Sequence, residues 1–178
     1  MTKLIVGLGN IGPQYQLTRH NIGFLFLDWW QKKHQLAEFK LSSKFKCLVS
    51  KNKNFYLIKP TTYMNLSGEA VSLFSHYYKI EDFKNIMVVF DDLDLKFGKF
   101  KLQLAKGPKT HNGLYSIYQH LQTKEFYHLR LGIKNQFYQR DKVADYVLTS
   151  FSDDEQKNML KLFSQINLLI QQQSHVKQ

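Results

Sequence analysis

The chain has 178 residues, of which 43% are hydrophobic, and it carries a formal net charge of +11. This length and apolar content predict a single domain over 1–178 with a substantial core. A single cysteine excludes a disulfide framework and the cysteine-rich zinc modules, and Cys47 is expected to be a packed thiol. No apolar run approaches the ~20 residues that a membrane span needs, and no leader precedes the first strand. We therefore expect a cytoplasmic protein.

The positive charge is concentrated between Lys96 and Lys142. This segment holds ten basic and two acidic residues, and so +8 of the +11. A solvated surface accounts for most charged faces. Because one sign dominates a single segment here, a polyanionic partner is favoured, and nucleic acid is the first candidate.

The predicted elements alternate between strand and helix. In chain order they are a strand at 3–7, a helix at 21–35, strands at 44–50 and 54–59, a helix at 66–79, strands at 86–90 and 98–104, a helix at 113–122, a strand at 128–133, and helices at 142–148 and 153–172. The turn Lys51-Asn-Lys-Asn54 makes the second and third strands a hairpin. This order predicts an α/β fold, a twisted mixed and largely parallel β-sheet covered by helices.

A glycine motif follows the first strand. The segment Gly7-Leu-Gly-Asn-Ile-Gly12 matches the fingerprint of dinucleotide-binding turns. That fingerprint needs a helix that begins within the glycines, and Pro13 with the polar residues after it delays the helix. The ribose-binding carboxylate would have to be Asp28, which lies in a helix pattern. A nucleotide-dependent oxidoreductase is the less favoured alternative.

His20 lies at or just before the first turn of the predicted helix 21–35. The positive end of a helix dipole disfavours an imidazolium ion. The imidazole is therefore expected to be neutral at physiological pH, as a general base must be. A capping or surface role is the alternative for a histidine taken alone.

Three carboxylates follow the most apolar strand, at Asp91, Asp92 and Asp94. One of them could orient a histidine while the others face water, or the cluster could bind Mg²⁺ or Ca²⁺. We favour the first interpretation, because the spacing is not that of a known calcium loop.

Several other polar side chains are expected in loops after strands. In α/β sheets the carboxyl edge of the strands is where sites are built. Asn65 or Ser67 is also expected to cap the helix 66–79. The residues assigned to this edge are Asn10, Asn65, Asp91 and Asn112.

The residues discussed above fall in six short sequence motifs along the chain. They are Val6-Gly-Leu-Gly-Asn10, Thr18-Arg-His-Asn21, Pro60-Thr-Thr-Tyr-Met-Asn-Leu-Ser-Gly68, Asp91-Asp-Leu-Asp94, His111-Asn-Gly-Leu114 and Leu129-Arg-Leu-Gly-Ile133. In this order and at these intervals the chain resembles the bacterial peptidyl-tRNA hydrolase family over nearly its whole length.

The resemblance implies a monomeric esterase that cleaves the bond between the carboxyl end of an N-blocked peptide and the 3′ ribose of tRNA. It implies a single α/β domain, with no metal and no cofactor. His20 would be the catalytic base and Asp91 the carboxylate that orients it. The residues implied to contact the peptide are Asn10, Tyr15, Met64, Asn65 and Asn112. Those implied to contact the tRNA backbone are Lys101, Arg130 and Lys142, with Arg130 favoured as a bidentate phosphate contact.

The alternative function is RNA binding without catalysis, by a relative of the same fold that has lost the hydrolytic activity. Retention of the proposed catalytic and amide residues argues against it.

The chain departs from the family pattern at Lys109-Thr110, where two glycines are usual, and at Lys134-Asn-Gln-Phe-Tyr138, where a glycine and a proline are usual. Gly12 follows Ile11, where proline is common. The loops beside the substrate channel are therefore expected to differ from those of the family.

Overall fold

The computed structural model describes residues 4–53, 55–108 and 110–175. In chain order the strands are β1 (Leu4–Gly7), β2 (Lys40–Ser42), β3 (Cys47–Lys51), β4 (Tyr56–Pro60), β5 (Ile86–Lys96), β6 (Phe100–Leu104) and β7 (Tyr127–Lys134). The helices are α1 (Ile22–Lys33), α2 (Ser67–Tyr77), α3 (Asn112–Leu121), α4 (Val143–Val147) and α5 (Asp153–His175).

All seven strands belong to one sheet, in the order β2-β3-β4-β1-β5-β7-β6. The four inner strands β4, β1, β5 and β7 run parallel to one another. The outer strands β2, β3 and β6 pair antiparallel to their neighbours. The predicted α/β domain with a mixed, mostly parallel sheet is confirmed, and the carboxyl ends of the parallel strands meet at one edge.

The two faces of the central strand β5 are covered by different helices. Val88 and Phe90 pack with α2 and α3, whereas Met87 and Val89 pack with α1 and α5. Successive side chains of a strand point to opposite faces, so a strand buried on both sides is apolar throughout. This explains the uninterrupted apolar run at 86–90.

The hairpin of β3 and β4 is confirmed, although its first strand begins later than predicted because Ser43–Phe45 form a 3₁₀ turn. The short strand β2 was not predicted, because its exposed residues carry no alternating apolar pattern. Three positions used in the predictions lie outside the described residues. They are Lys3 at the predicted start of the first strand, Asn54 of the hairpin turn, and Lys109. Cys47 is a packed thiol as predicted, and its burial raises its pKa to about 12.

The predicted side-chain cap of α2 is wrong. Leu66 precedes the helix without a capping side chain, and the Ser67 hydroxyl instead donates to the Met64 carbonyl oxygen at 2.8 Å. A 3₁₀ turn at Met64–Leu66 leads directly into α2, so the chain is already helical where a cap was expected.

No helix among the described residues is long and apolar enough to cross a membrane.

His128 of β7 is fully buried beneath the face covered by α3. Its imidazole lies among the rings of Phe90, Tyr118 and Phe126, at centroid distances of 4.6 to 6.0 Å. Burial disfavours the charged imidazolium and lowers the pKa of His128 to about 4. The fold therefore holds a histidine that must stay neutral.

Acid should destabilise the fold through His128. The unfolded chain takes up a proton near the ordinary pKa of 6.5, whereas the folded chain takes it up only near 4, so stability is lost as the pH falls between these values. The loss from this one residue should reach about 3 kcal/mol. In His128→Phe, denaturant unfolding should give a free energy of unfolding that falls less steeply with acid than that of the wild type. Parallel curves for the two proteins would contradict this account.

Candidate active site

His20 lies in a 3₁₀ turn, Arg19–Asn21, that leads into α1. Gly23 in the first turn of α1 lets the helix approach the sheet closely. A Cβ atom at Gly23 would collide with the carbonyl oxygens of Val89 and Leu8. The absence of that atom brings the turn against β5, so that His20 reaches a side chain of this strand.

The partner of His20 is Asp91. His20 Nδ1 lies 2.8 Å from Asp91 Oδ1, and the His20 side chain retains 15% of its exposure, while Asp91 is buried. Burial alone would raise the pKa of Asp91, but the charges and hydrogen bonds of His20 and His111 hold it well below its usual range. An ionised carboxylate only accepts hydrogen bonds, so His20 Nδ1 must carry a proton.

His111 donates to the same carboxylate oxygen. Its Nε2 lies 3.0 Å from Asp91 Oδ1, and its Nδ1 accepts the backbone N–H of Leu114 at 3.2 Å, which caps α3. Because Nδ1 is an acceptor, the proton of the neutral ring is on Nε2 and points at Asp91. Sequence reasoning placed His111 in a motif but assigned it no role. Its position directly before a helix was the available signal.

These hydrogen bonds define the protonation of His20. With Nδ1 bonded to Asp91, a neutral His20 has its lone pair on Nε2. Burial lowers the pKa of His20, but the charge of Asp91 and the hydrogen bond to it outweigh burial and raise the pKa above 6.5. The prediction that the helix terminus disfavours the imidazolium form is therefore wrong as to the direction of the pKa shift, because a carboxylate in direct contact outweighs the dipole of α1.

Asn21 links the histidine turn to the loop after β1. Its Oδ1 accepts the backbone N–H of Asn10 at 2.8 Å, and its Nδ2 donates to the Asn10 carbonyl oxygen at 2.9 Å. Asn21 is buried. Both backbone groups of Asn10 are thus held by the residue that follows His20, a positioning contact that the sequence did not indicate.

A cleft of about 890 Å³ opens beside this group. It is lined by all five residues that the family resemblance implied to contact the peptide: Asn10, Tyr15, Met64, Asn65 and Asn112. Met64 is buried, whereas Asn65 and Asn112 are exposed. Asn10 is hydrogen-bonded to Asn21, the residue after His20, and Asn112 directly follows His111, so two of the lining residues adjoin the segments that carry the histidines.

Asp91 and Asp92 point to opposite faces, because both lie inside β5 and not in a loop as predicted. The Asp92 side chain is buried and does not face water: its Oδ2 accepts from Arg130 Nε at 2.5 Å. Its Oδ1 accepts the backbone N–H of Asp94 at 2.8 Å. Asp94 Oδ2 lies 3.9 Å from Arg130 Nη2, so Asp92 and Asp94 both face this guanidinium while Asp91 points away, and the three carboxylates form no common metal site.

The guanidinium of Arg130 is therefore already hydrogen-bonded within the protein. Besides Asp92, its Nη1 donates to Gln103 Oε1 at 3.3 Å, and its side chain is 12% exposed. The predicted bidentate contact with a phosphate does not fit this arrangement, because Asp92 already neutralises the guanidinium. Lys101, directly opposite Arg130 in the β6–β7 pair, is exposed. Lys142, in the turn before α4, is exposed as well.

One trio of described residues has metal-ligand chemistry. His20, Asp91 and His111 each offer a ligand atom, and these atoms lie within 4.8 Å of one another. Both histidine nitrogens in this trio carry protons directed at Asp91, by the hydrogen bonds given above. A metal ion here would have to displace both protons and one backbone cap, whereas the hydrogen-bonded arrangement gives both ring N–H groups and the backbone N–H of Leu114 an acceptor.

The similarity to known proteins extends over nearly the whole chain. The family model described as peptidyl-tRNA hydrolase matches residues 4–177. The peptidyl-tRNA hydrolase of Aliarcobacter butzleri is 47% identical over 153 residues, which are 85% of this chain and 81% of that protein. That of Sulfurimonas denitrificans is 43% identical over 156 residues, covering 88% and 81%.

Solved structures agree with the sequence relatives. The crystal structure of peptidyl-tRNA hydrolase from Acinetobacter baumannii superposes with a TM-score of 0.84 at 34% identity, covering 97% of this chain and 90% of that one. The match in sequence thus extends to the arrangement of the strands and helices that carry the site. On its sequence and its fold alike, the chain belongs to the peptidyl-tRNA hydrolase family.

Proposed function

We propose that this protein hydrolyses the ester bond between a peptide and the 3′ ribose of tRNA, with His20 as general base. The observation that carries the proposal is the bond from His20 Nδ1 to the buried carboxylate of Asp91, beside a cleft lined by amide side chains. That bond leaves Nε2 to take a proton from water. It also stabilises the imidazolium that forms.

The reaction follows from these positions. Nε2 of His20 removes a proton from a water molecule as the water oxygen attacks the ester carbonyl carbon. The carbonyl oxygen gains negative charge, which the amide N–H groups of Asn10 or Asn112 stabilise. When the intermediate collapses, the bond to the ribose oxygen breaks and that oxygen receives the proton from His20. The products are the free peptide acid and tRNA.

The cleft of about 890 Å³ binds the peptide in this proposal. Asn10, Asn65 and Asn112 can donate and accept hydrogen bonds with a peptide bond, but they carry no charge to pair with a free ammonium group. The buried side chain of Met64 supplies apolar contact, and Tyr15 lies at the same cleft. Glu69, the carboxylate among the lining residues, is paired with Lys46 at 2.7 Å. The site therefore suits N-blocked aminoacyl esters.

We further propose that the protein acts as a cytoplasmic monomer. One chain supplies every group that this mechanism uses, and the substrate is a product of translation. The alternative of an RNA-binding relative without hydrolysis is not favoured, because the bonded pair of His20 and Asp91 is retained together with a cleft lined by the three amides.

Replacing His20 should abolish turnover. In His20→Ala, kcat for N-acetyl-aminoacyl-tRNA should fall at least ~10²-fold, because no base remains to activate water. KM should stay within a few-fold of the wild type, since the base acts in the transition state. In Asp91→Asn, kcat should fall less than in His20→Ala. His76→Ala, an exposed histidine of α2, is the matched control. A His20→Ala protein that keeps more than about a tenth of wild-type kcat would remove the residue from this role.

The acid limb of the pH profile should report His20. A general base works only when it is neutral, so kcat/KM should rise with pH through the pKa of His20, above 6.5. Asp91→Asn removes the charge that raises this pKa and should move the limb to lower pH. Asp154→Asn, which replaces an exposed carboxylate of α5, should leave it in place. A limb that does not move in Asp91→Asn would mean that another group controls the rate.

For the tRNA backbone we propose Lys101 and Lys142 as direct phosphate contacts. Both are exposed lysines of the basic segment. Arg130 lies opposite Lys101, and its charge is shared with Asp92, so it contributes less to phosphate binding than either lysine. Its bond to Asp92 holds β5 against β7 beneath the proposed phosphate path.

The salt dependence of binding tests this assignment. In Lys101→Gln, KM for the tRNA-linked substrate should rise with kcat largely kept, and the log–log salt slope of binding should decrease by roughly 0.7–0.9. Lys161→Gln, an exposed lysine of α5 on the opposite face of the sheet, should change neither quantity. An unchanged slope in Lys101→Gln would place the tRNA platform elsewhere on the surface.

A further inference from the structure

An exposed aromatic side chain follows the last parallel strand. Phe137 lies in the loop after β7, is 71% exposed, and belongs to the segment in which this chain departs from the family pattern. The loop leaves the sheet at the edge toward which Asp91 of β5 also lies. An exposed phenyl ring at this edge has no role in the core and is accessible to a partner.

The loop is held firmly although its tip is exposed. Asn135 Oδ1 accepts the backbone N–H of Phe137 at 2.9 Å, and the Asn135 carbonyl oxygen accepts that of Tyr138 at 3.2 Å. The backbone N–H of Asn135 donates to the Tyr146 hydroxyl at 3.0 Å. The ring of Phe137 is therefore presented on an ordered turn, which reduces the entropy lost when it binds a partner.

The same turn is tied to the segment that carries the catalytic base. Asn135 Nδ2 donates to Glu155 Oε1 at 2.8 Å, and both carboxylate oxygens of Glu155 accept from Arg19, each at 2.9 Å. Arg19 directly precedes His20. Arg19 and Phe137 also line one open cavity of about 670 Å³. Phe137 is thus fixed in position relative to the site of ester cleavage.

The surroundings of Phe137 are basic. Lys134, Arg140 and Lys142 are exposed on the same short segment, with Asp141 as the one acidic residue between positions 134 and 142. A partner that suits both an exposed aromatic ring and this charge is an anionic polymer with planar rings. Single-stranded nucleic acid has that chemistry, since any base can stack on an aromatic side chain while its phosphates pair with cations.

We propose that Phe137 stacks on an unpaired nucleobase at the 3′ end of the tRNA, and so directs the ester toward His20. This inference rests on the proposed function and names a contact that the reaction itself does not require. It assigns a role to the Lys134–Tyr138 segment, in which an aromatic residue stands in a loop that differs from the family pattern.

Binding of two deacylated tRNAs tests the proposal. One is intact, and the other carries abasic nucleotides at its unpaired 3′ end, so that the phosphates are the same. Phe137→Ala should weaken binding of the intact tRNA roughly 5- to 100-fold and leave that of the abasic tRNA unchanged. Phe137→Trp should restore the affinity. The salt slope should be the same in all variants, because no phosphate contact is removed.

Tyr77→Ala is the matched control, because Tyr77 of α2 is also exposed, at 54%, and should not affect either tRNA. Equal affinity of wild type and Phe137→Ala for the intact tRNA would overturn the inference while the hydrolytic function stood. Loss of a concentration-dependent dimer in Phe137→Ala, with tRNA affinity unchanged, would overturn it in favour of a second copy of the chain. Failure of the wild type to hydrolyse N-acetyl-aminoacyl-tRNA would instead overturn the proposed function, and this substrate contact with it.

Discussion

The arrangement of the site depends on one buried carboxylate that accepts hydrogen bonds from two histidines. A buried charge is costly unless it is paired and hydrogen-bonded, and Asp91 meets that demand through His20 and His111. The two donors come from the start of α1 and from the start of α3, on opposite sides of the sheet. Satisfying Asp91 therefore brings two distant segments to one strand, and the same bonds determine which nitrogen of His20 is available for chemistry.

The neighbouring residue in β5 performs a separate task, because side chains alternate along a strand. Asp92 lies on the other face, where it binds Arg130 of β7. Two adjacent carboxylates thus bind separate partners: Asp91 holds the two histidines, and Asp92 holds Arg130. The pairing of Asp92 with Arg130 also lowers the local positive charge, whereas Lys101 opposite Arg130 is exposed.

The histidine turn is held from both sides. Asn21 fixes the loop after β1, and Arg19 reaches Glu155 at the start of α5. The guanidinium of Arg19 also lies 4.9 Å from the ring centroids of both Tyr146 and Phe151. A cation that is bonded bidentately and enclosed by rings has little freedom to move. Helix α5 therefore helps to position the turn that carries His20, and the bond from Asn135 to Glu155 connects the loop of Phe137 to the same turn.

The sequence by itself determined the α/β class, nearly all of the strands and helices and, through its resemblance to a known family, the residues that meet around the cleft. Apolar periodicity and short motifs carry that information locally. Only the tertiary structure decided that His111 shares Asp91, that Arg130 is neutralised by Asp92, and that contact with Asp91 raises the pKa of His20 despite the helix that follows. The physical reason is that charge and hydrogen-bond energies depend on distances between residues far apart in the chain, and no local pattern encodes those distances.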